Sequence, residues 1–188
     1  MLKGKTIVLG ISGGIAAYKA CELTRRLVER KADVHVILTK SAKEFVTPLT
    51  FQALSGHPVH TDLFNLTQEQ EIGHISLADR ADAILVAPAT ADLIARTAHG
   101  LCDDLLTTVL CATTAPVLIA PSMNVNMWNN KITQENVEKL KKHGFLVIEP
   151  EAGYLACGYN GKGRLPDPET LLDTLEKTLS KKKRQSIT

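Results

Sequence analysis

Short, β-prone apolar runs recur along the chain at residues 5–10, 33–39, 83–87, 116–120 and 145–148, and stretches of helical periodicity separate them. This alternation predicts a parallel sheet with helices on both faces, an α/β, Rossmann-like (flavodoxin-like) three-layer sandwich. The first helix is predicted from about 14 to 30, with Ile15, Ala16, Cys21, Leu23, Leu27 and Val28 as its apolar stripe. Further helices are predicted near 48–54, 75–81, 90–99, 103–112, 134–143 and 168–179. Two connections are longer than α/β units need: 56–73, and 149–167 with Gly153, Gly158, Gly161 and Gly163. Loops beyond about a dozen residues serve as lids or binding loops, or have no fixed structure.

A chain of 188 residues, 44% hydrophobic, with a formal net charge of +2, fits one domain over 1–180, leaving 181–188 as a basic tail or the start of a linker. Aromatics are only 4% and basic residues alternate with acids, so neither a nucleic-acid footprint nor a stacking platform is visible. The apolar run 6–9 is far too short for a targeting or membrane segment. Cys21, Cys102, Cys111 and Cys157 have neither zinc-ligand spacing nor a disulfide framework, which makes the cytoplasm the expected compartment and no metal the expected state. Cys21, Cys102 and Cys111 fall on helical stripes and read as small buried hydrophobes.

Candidate chemistry gathers after the apolar runs. In an open α/β sheet, ligands bind outside the carboxyl ends of the strands. Gly10-Ile11-Ser12-Gly13-Gly14 follows the first run, where amides, a hydroxyl and a helix start suit a phosphate, although such turns also serve tight packing alone. After the second run a dinucleotide fold would carry an acid, but this chain has Thr39-Lys40-Ser41. No Gly-Lys-Ser or Gly-Lys-Thr closes the turn, so a P-loop is excluded. Ala89 and Thr90 follow the third run, Ser122 and Met123 the fourth. Small and hydroxyl residues on four successive loops suit a flat phosphorylated cofactor such as flavin mononucleotide, with Gly10, Ser12, Gly13, Thr39, Ser41, Ala89, Thr90, Ser122 and Met123 as candidate contacts. The segment Pro121-Ser122-Met123-Asn124-Val125-Asn126-Met127-Trp128 reads either as a site or as a helix start, with Asn124 or Asn126 as its cap and Met and Trp as packing.

The turn at 10–19, Ile72-Gly73-His74-Ile75-Ser76-Leu77-Ala78, Ala87-Pro88-Ala89-Thr90-Ala91, the Asn/Met segment and Ala156-Cys157-Gly158-Tyr159-Asn160-Gly161-Lys162-Gly163-Arg164 together resemble the homo-oligomeric flavin-containing cysteine decarboxylases. The resemblance covers nearly the whole chain. It implies FMN as cofactor, a substrate with a phosphate and a cysteine carboxylate, and self-association as a trimer or a dodecamer built from trimers. His74 is the implied active-site base, Asn124 the substrate-binding amide and Cys157 the thiol of the reductive half-reaction. Asp92 stands where many relatives have Asn.

Such chemistry needs these residue types. A cysteine carboxylate has no electron sink until its CH2–SH is oxidised to a thioaldehyde, after which carbon dioxide leaves and an enethiol remains for reduction by the same flavin. A histidine suits proton removal near neutral pH. A neutral amide donates to the carboxylate where an acid would repel it. A thiol in a glycine-rich loop suits return of a proton with water excluded. Lys162 and Arg164 lie just beyond Cys157, either meeting the substrate phosphate or facing solvent. Decarboxylation of a peptide's C-terminal cysteine, a flavin prenyltransferase and a non-catalytic flavin-binding regulatory subunit are the alternatives; the Asn/Met segment and the cysteine loop count against the second, and the presence of all three catalytic candidates counts against the third.

Overall fold

The structure, a computed structural model, describes residues 2–64, 73–154, 158 and 160–185. Five parallel strands form the central sheet: β1 (Thr6–Ile11), β2 (Asp33–Leu38), β3 (Ala83–Ala89), β4 (Val117–Pro121) and β5 (Leu146–Val147), in the order β2-β1-β3-β4-β5. This is the strand order of the flavodoxin-like fold that the sequence predicts, and its direction reverses between β1 and β3. The helices are α1 (Lys19–Glu29), α2 (Pro48–Ser55), α3 (Gly73–Arg80), α4 (Ala91–Ala98), α5 (Leu105–Ala112), α6 (Val125–Asn129), α7 (Lys131–Lys142) and α8 (Pro168–Gln185).

The strands are largely apolar because both faces of the sheet are covered, although β2 opens with Asp33 and carries His35. Ile7, Leu9 and Ile11 of β1 pack with Val34, Val36, Leu38, Leu85 and Leu118 under α1 and α8, while Val8, Ile37, Ile84, Val86 and Ile119 belong to a second cluster under α3, α4, α5 and α7. Burying each such leucine or isoleucine contributes roughly 1.5–3 kcal/mol, which fixes strand register and so the level at which the four loops emerge. No described helix is long and apolar enough to cross a membrane.

The predicted first helix is interrupted. Residues Ile15–Tyr18 form a 3-10 turn before α1 starts. The tighter turn puts Ala16 and Ala17 on the core side and leaves Ile15 59% exposed. Val28, at 36%, is also peripheral; Ala20 and Thr24 take the core positions instead. The helix predicted at 134–143 begins earlier, because Asn130 accepts a hydrogen bond from Ile132 N–H and caps α7. The helix predicted to end at 179 continues to Gln185.

The long segment 149–167 is not a loop throughout. It folds into an antiparallel hairpin, β6 (Glu151–Tyr154) and β7 (Asn160–Arg164). The segment 56–64 runs back along the sheet's edge strand: His60 N–H donates to Val36 O (2.9 Å) and Leu38 N–H to His60 O (2.9 Å).

Candidate active site

At the carboxyl ends of β1, β2 and β3 the loops enclose a cavity of about 680 Å³ lined by, among others, Ser12, Gly13, Thr39, Ser41, Thr90 and Met127. Its position at the strand-order reversal follows from the topology. The loops are tied to each other before any ligand enters. Ser12 is 2% exposed; its Oγ donates to Pro88 O (2.8 Å) and accepts from Thr90 N–H (2.9 Å). That proton is therefore committed to the neighbouring loop, which gives the hydroxyl a positioning role. Thr39 N–H continues the ladder to Ile11 O (3.1 Å), and Ser122 N–H reaches Ala89 O (3.0 Å).

Glycine is required at two points of the first turn for steric reasons. A Cβ on Gly13 would lie 2.3 Å from Ser41 Cβ and 2.7 Å from its carbonyl carbon, so the first and second loops touch backbone to backbone only because residue 13 has no side chain. A Cβ on Gly10 would meet Leu106 Cδ1 at 2.5 Å, which makes Gly10 a packing residue beneath the cavity floor. Thr39 and Thr90 cap the next helical turns, accepting from Ala42 N–H (3.2 Å) and Leu93 N–H (3.3 Å). Their hydroxyl protons remain available for a ligand oxygen.

Asn124 is a helix cap, as the packing reading of its segment anticipates. Its side-chain oxygen accepts from Asn126 N–H (2.8 Å) and opens α6, while Trp128 is buried. The same loop also binds the hairpin. Met123 N–H donates to Gly163 O (3.0 Å), and a Cβ on Gly161 would overlap Val125 Cγ2 at 2.7 Å, so β7 lies directly on α6. Cys157 belongs to the connection between the two hairpin strands and lies outside the described residues.

Lys162 does not face the cavity as a free cation. Its ammonium is 2.6 Å from Glu149 and 5.9 Å from the Trp128 ring centre, and Lys141 reaches the other Glu149 oxygen at 3.1 Å. The Lys162 hydrogen bond, reinforced by Lys141 and opposed by partial burial, holds the Glu149 carboxyl below its ordinary range. Arg164 lays its stem over Gly153. Cys102 and Cys111 are exposed, contrary to the expectation of buried hydrophobes. Cys102 precedes α5 instead of lying within a stripe, and Cys111 falls on α5's outer face; Cys21 is half-buried.

His74 stands in the first turn of α3, half-buried, and does not line the cavity of its own chain. Its Nδ1 is buried with no hydrogen-bond partner among the described residues. An unsatisfied buried nitrogen of this kind is uncommon in native folds. Ala89, Ser122 and Met123 also sit beside the cavity without lining it. One lining residue that no motif singles out is Arg96, held by Asp92 (3.7 Å), Asp103 and Asp104 (3.0 Å). Its only sequence signal is the i,i+4 spacing to Asp92.

The sequence profile of the family described as Flavoprotein matches residues 1–180. Coenzyme A biosynthesis bifunctional protein CoaBC of Bacillus subtilis (strain 168) is 54% identical over 177 residues, covering 94% of this chain and 44% of that protein. The chain spans less than half the length of the curated relatives it matches. Among solved structures, a cysteine-to-serine mutant of PPC decarboxylase complexed with pantothenoylaminoethenethiol aligns with a TM-score of 0.81 at 31% identity, covering 93% of this chain and 97% of the other. The FMN-dependent cysteine decarboxylase SpaF aligns with a TM-score of 0.83 at 28% identity, covering 96% and 98%.

Proposed function

The chain belongs to the Flavoprotein family, and from that premise we propose that it is an FMN-dependent decarboxylase converting 4'-phospho-N-pantothenoylcysteine to 4'-phosphopantetheine in coenzyme A biosynthesis, with residues 1–180 as the decarboxylase domain. The observation that carries the reading is the Met123 to Gly163 backbone bond, because it joins the Asn124 loop to β7 of the hairpin whose two strands flank Cys157 in sequence.

FMN fits the cavity by size and by donor chemistry. Ligand pockets span about 300–1,000 Å³, and this one lies at the β1/β3 reversal, where flavodoxin-like folds hold FMN. Gly13, Thr39, Ser41 and Thr90 would hold the phosphate end, with Ser12 keeping the loops together and Ala89, Ser122 and Met123 flanking the ring. When bound, FMN supplies the hydride acceptor and later the hydride donor that leave the overall reaction redox-neutral.

The chain's own residues supply position and protons. Asn124 Oδ1 accepts the cap bond, which orients the amide, and its Nδ2 is the donor to the substrate carboxylate. His74 removes the thiol proton, and its buried Nδ1 finds its partner in the assembled site. Cys157 returns a proton to the product carbon. His74 does not line its own chain's cavity, and Ile15, Tyr18, Leu49, Phe64 and Ile75 are exposed apolar side chains, which supports a site in which one protomer lends His74 to its neighbour; the family resemblance supplies the number, a trimer or a dodecamer of trimers.

The deciding experiment gives purified protein phosphopantothenoylcysteine and, separately, a peptide ending in cysteine, and measures carbon dioxide and product mass. Turnover of the first alone is the expected result; turnover of the peptide alone would overturn the substrate assignment. Mixing inactive His74→Asn and Asn124→Asp protomers should restore part of the activity. Failure of rescue despite demonstrated subunit exchange would place the whole site within one chain.

A further inference from the structure

We propose that Asp33, His35 and His57 form a binding site for a divalent transition-metal ion, with zinc as the best-fitting occupant, on the edge strand of the sheet. Asp33 opens β2 and His35 follows two residues later, so strand geometry puts both on the same face. His57 returns beside them after α2. Its ring stacks on that of His35 with centroids 4.6 Å apart and planes 19° from parallel. Asp33 then bridges the pair: Oδ1 is 2.7 Å from His57 Nε2 and Oδ2 is 3.1 Å from His35 Nε2.

One donor atom from each residue lies within 4.8 Å of the others. Zinc bonds of about 2.0–2.2 Å in a tetrahedron put neighbouring ligand atoms roughly 3.4 Å apart, so the set closes when the two imidazoles turn out of their stack until both ring planes contain the ion. Two imidazoles and a carboxylate are among zinc's preferred donors. In the free protein the Nε2 protons face Asp33, so metal binding would move the one proton of each neutral imidazole to Nδ1 and free the Nε2 lone pair. Asp33 and His57 are only partly buried, leaving the remaining coordination positions to water. His60, with its ring centre 6.4 Å from that of His35, stands behind the triad.

Such an ion has a structural consequence. The segment from His57 runs along β2 through the His60 bonds and ends at Thr61, Asp62 and Leu63, which line the cofactor cavity. A metal would fasten the start of that strap at the end of β2 away from the cavity, about 16 Å from Leu38 by strand rise. The site is thus separable from the cofactor pocket.

The test uses untagged, flavin-loaded protein stripped with EDTA and dialysed against Zn2+, with metal content measured per protomer and cofactor content read from the flavin spectrum. The expected result is one Zn2+ per protomer and a rise in melting temperature on adding Zn2+. Co2+ should show d–d bands on the red side of the flavin envelope. His57→Ala and Asp33→Asn should each weaken uptake at least about tenfold, since even outer-sphere changes cost that much, while flavin content stays normal. Absence of stoichiometric uptake, or affinity unchanged in both flavin-replete variants, would overturn the assignment.

Discussion

Gly13→Ala tests how the cofactor cavity is built. Gly13 is not among the positive-φ residues, so alanine adds no backbone strain and the perturbation is steric alone. The new methyl would lie 2.3 Å from Ser41 Cβ, 2.7 Å from Ser41 C and 2.8 Å from Ser41 O. Two of those three atoms are backbone, which cannot swing aside as a side-chain tip would. Relief therefore requires the first and second loops to part by roughly 1 Å, against the Ser12 bonds that tie the first loop to the third. Forced insertion of a methyl into packed structure costs about 1–3 kcal/mol. If the flavin phosphate needs both loops in place, the same cost appears in binding as a loss of about 5- to 150-fold. Gly14→Ala is the matched control: its Cβ would meet only Thr90 Cγ2, at an ordinary 3.7 Å. The assay is fluorescence titration of apoprotein with FMN, with melting curves of both variants. Gly13→Ala binding FMN within about twofold of wild type, or Gly14→Ala losing as much as Gly13→Ala, would refute the idea that loop contact shapes the phosphate end.

Three further predictions address other joints. Ser12→Ala removes a buried hydroxyl with two partners and should lower stability by about 1–3 kcal/mol in denaturant melts of the apoprotein; an unchanged midpoint would mean the loops hold without it. Glu149 has a depressed folded pKa, so its contribution exists above the unfolded value of 4.5 and is lost as pH falls through the lower folded one. Glu149→Gln should accordingly reduce hydrogen-exchange protection of the Met123 amide a few-fold at pH 7, the scale of an exposed ion pair of about 0.5 kcal/mol, whereas wild type should loosen only below 4.5; equal protection in both proteins at pH 7 would discount the Lys162–Glu149–Lys141 tie. Cys157→Ser should release carbon dioxide once per site and stall at a product lighter by two hydrogens than the normal thiol, seen by mass spectrometry, because a hydroxyl is a far weaker acid than a thiol of pKa about 8.5; normal turnover would remove Cys157 from the reductive step.

The five strands were legible because a doubly covered parallel sheet demands continuous apolar runs, and Ile7 to Ile11 or Ile84 to Val86 cannot be spent elsewhere. The loops after β1 to β4 follow from that with their Ser and Thr residues. The hairpin was hidden because Glu151–Tyr154 and Asn160–Arg164 pack no apolar face into the core, so period-two alternation is absent; it is held by strand pairing, by Gly161 against Val125 and by Lys162 over Trp128. Exposure of Cys111 was hidden for a related reason, since periodicity places a residue on a helix without saying how far the neighbouring element reaches over it, and Cys102 was misplaced because it precedes the helix. The triad on β2 was invisible in sequence because His57 meets Asp33 and His35 only after α2 turns the chain back, and no fixed spacing encodes that return.

The two ends of the proposed site are held in different ways, and this separates what mutations there should do. The cofactor end rests on the termini of core strands, where the Ser12 bonds and the Gly13–Ser41 contact fix the loops before binding. Changes there act on affinity, because the work of forming the cradle has already been done by folding. The catalytic candidates sit on lesser elements: the first turn of α3, the cap of the five-residue α6, and a two-stranded hairpin that could not persist alone in water. That hairpin stays in place through one backbone bond to Met123, the fit of Gly161 on α6 and a half-exposed ion-pair chain, contacts weak enough to open on the timescale of substrate entry and product release. Loosening them should therefore change turnover while leaving FMN affinity intact.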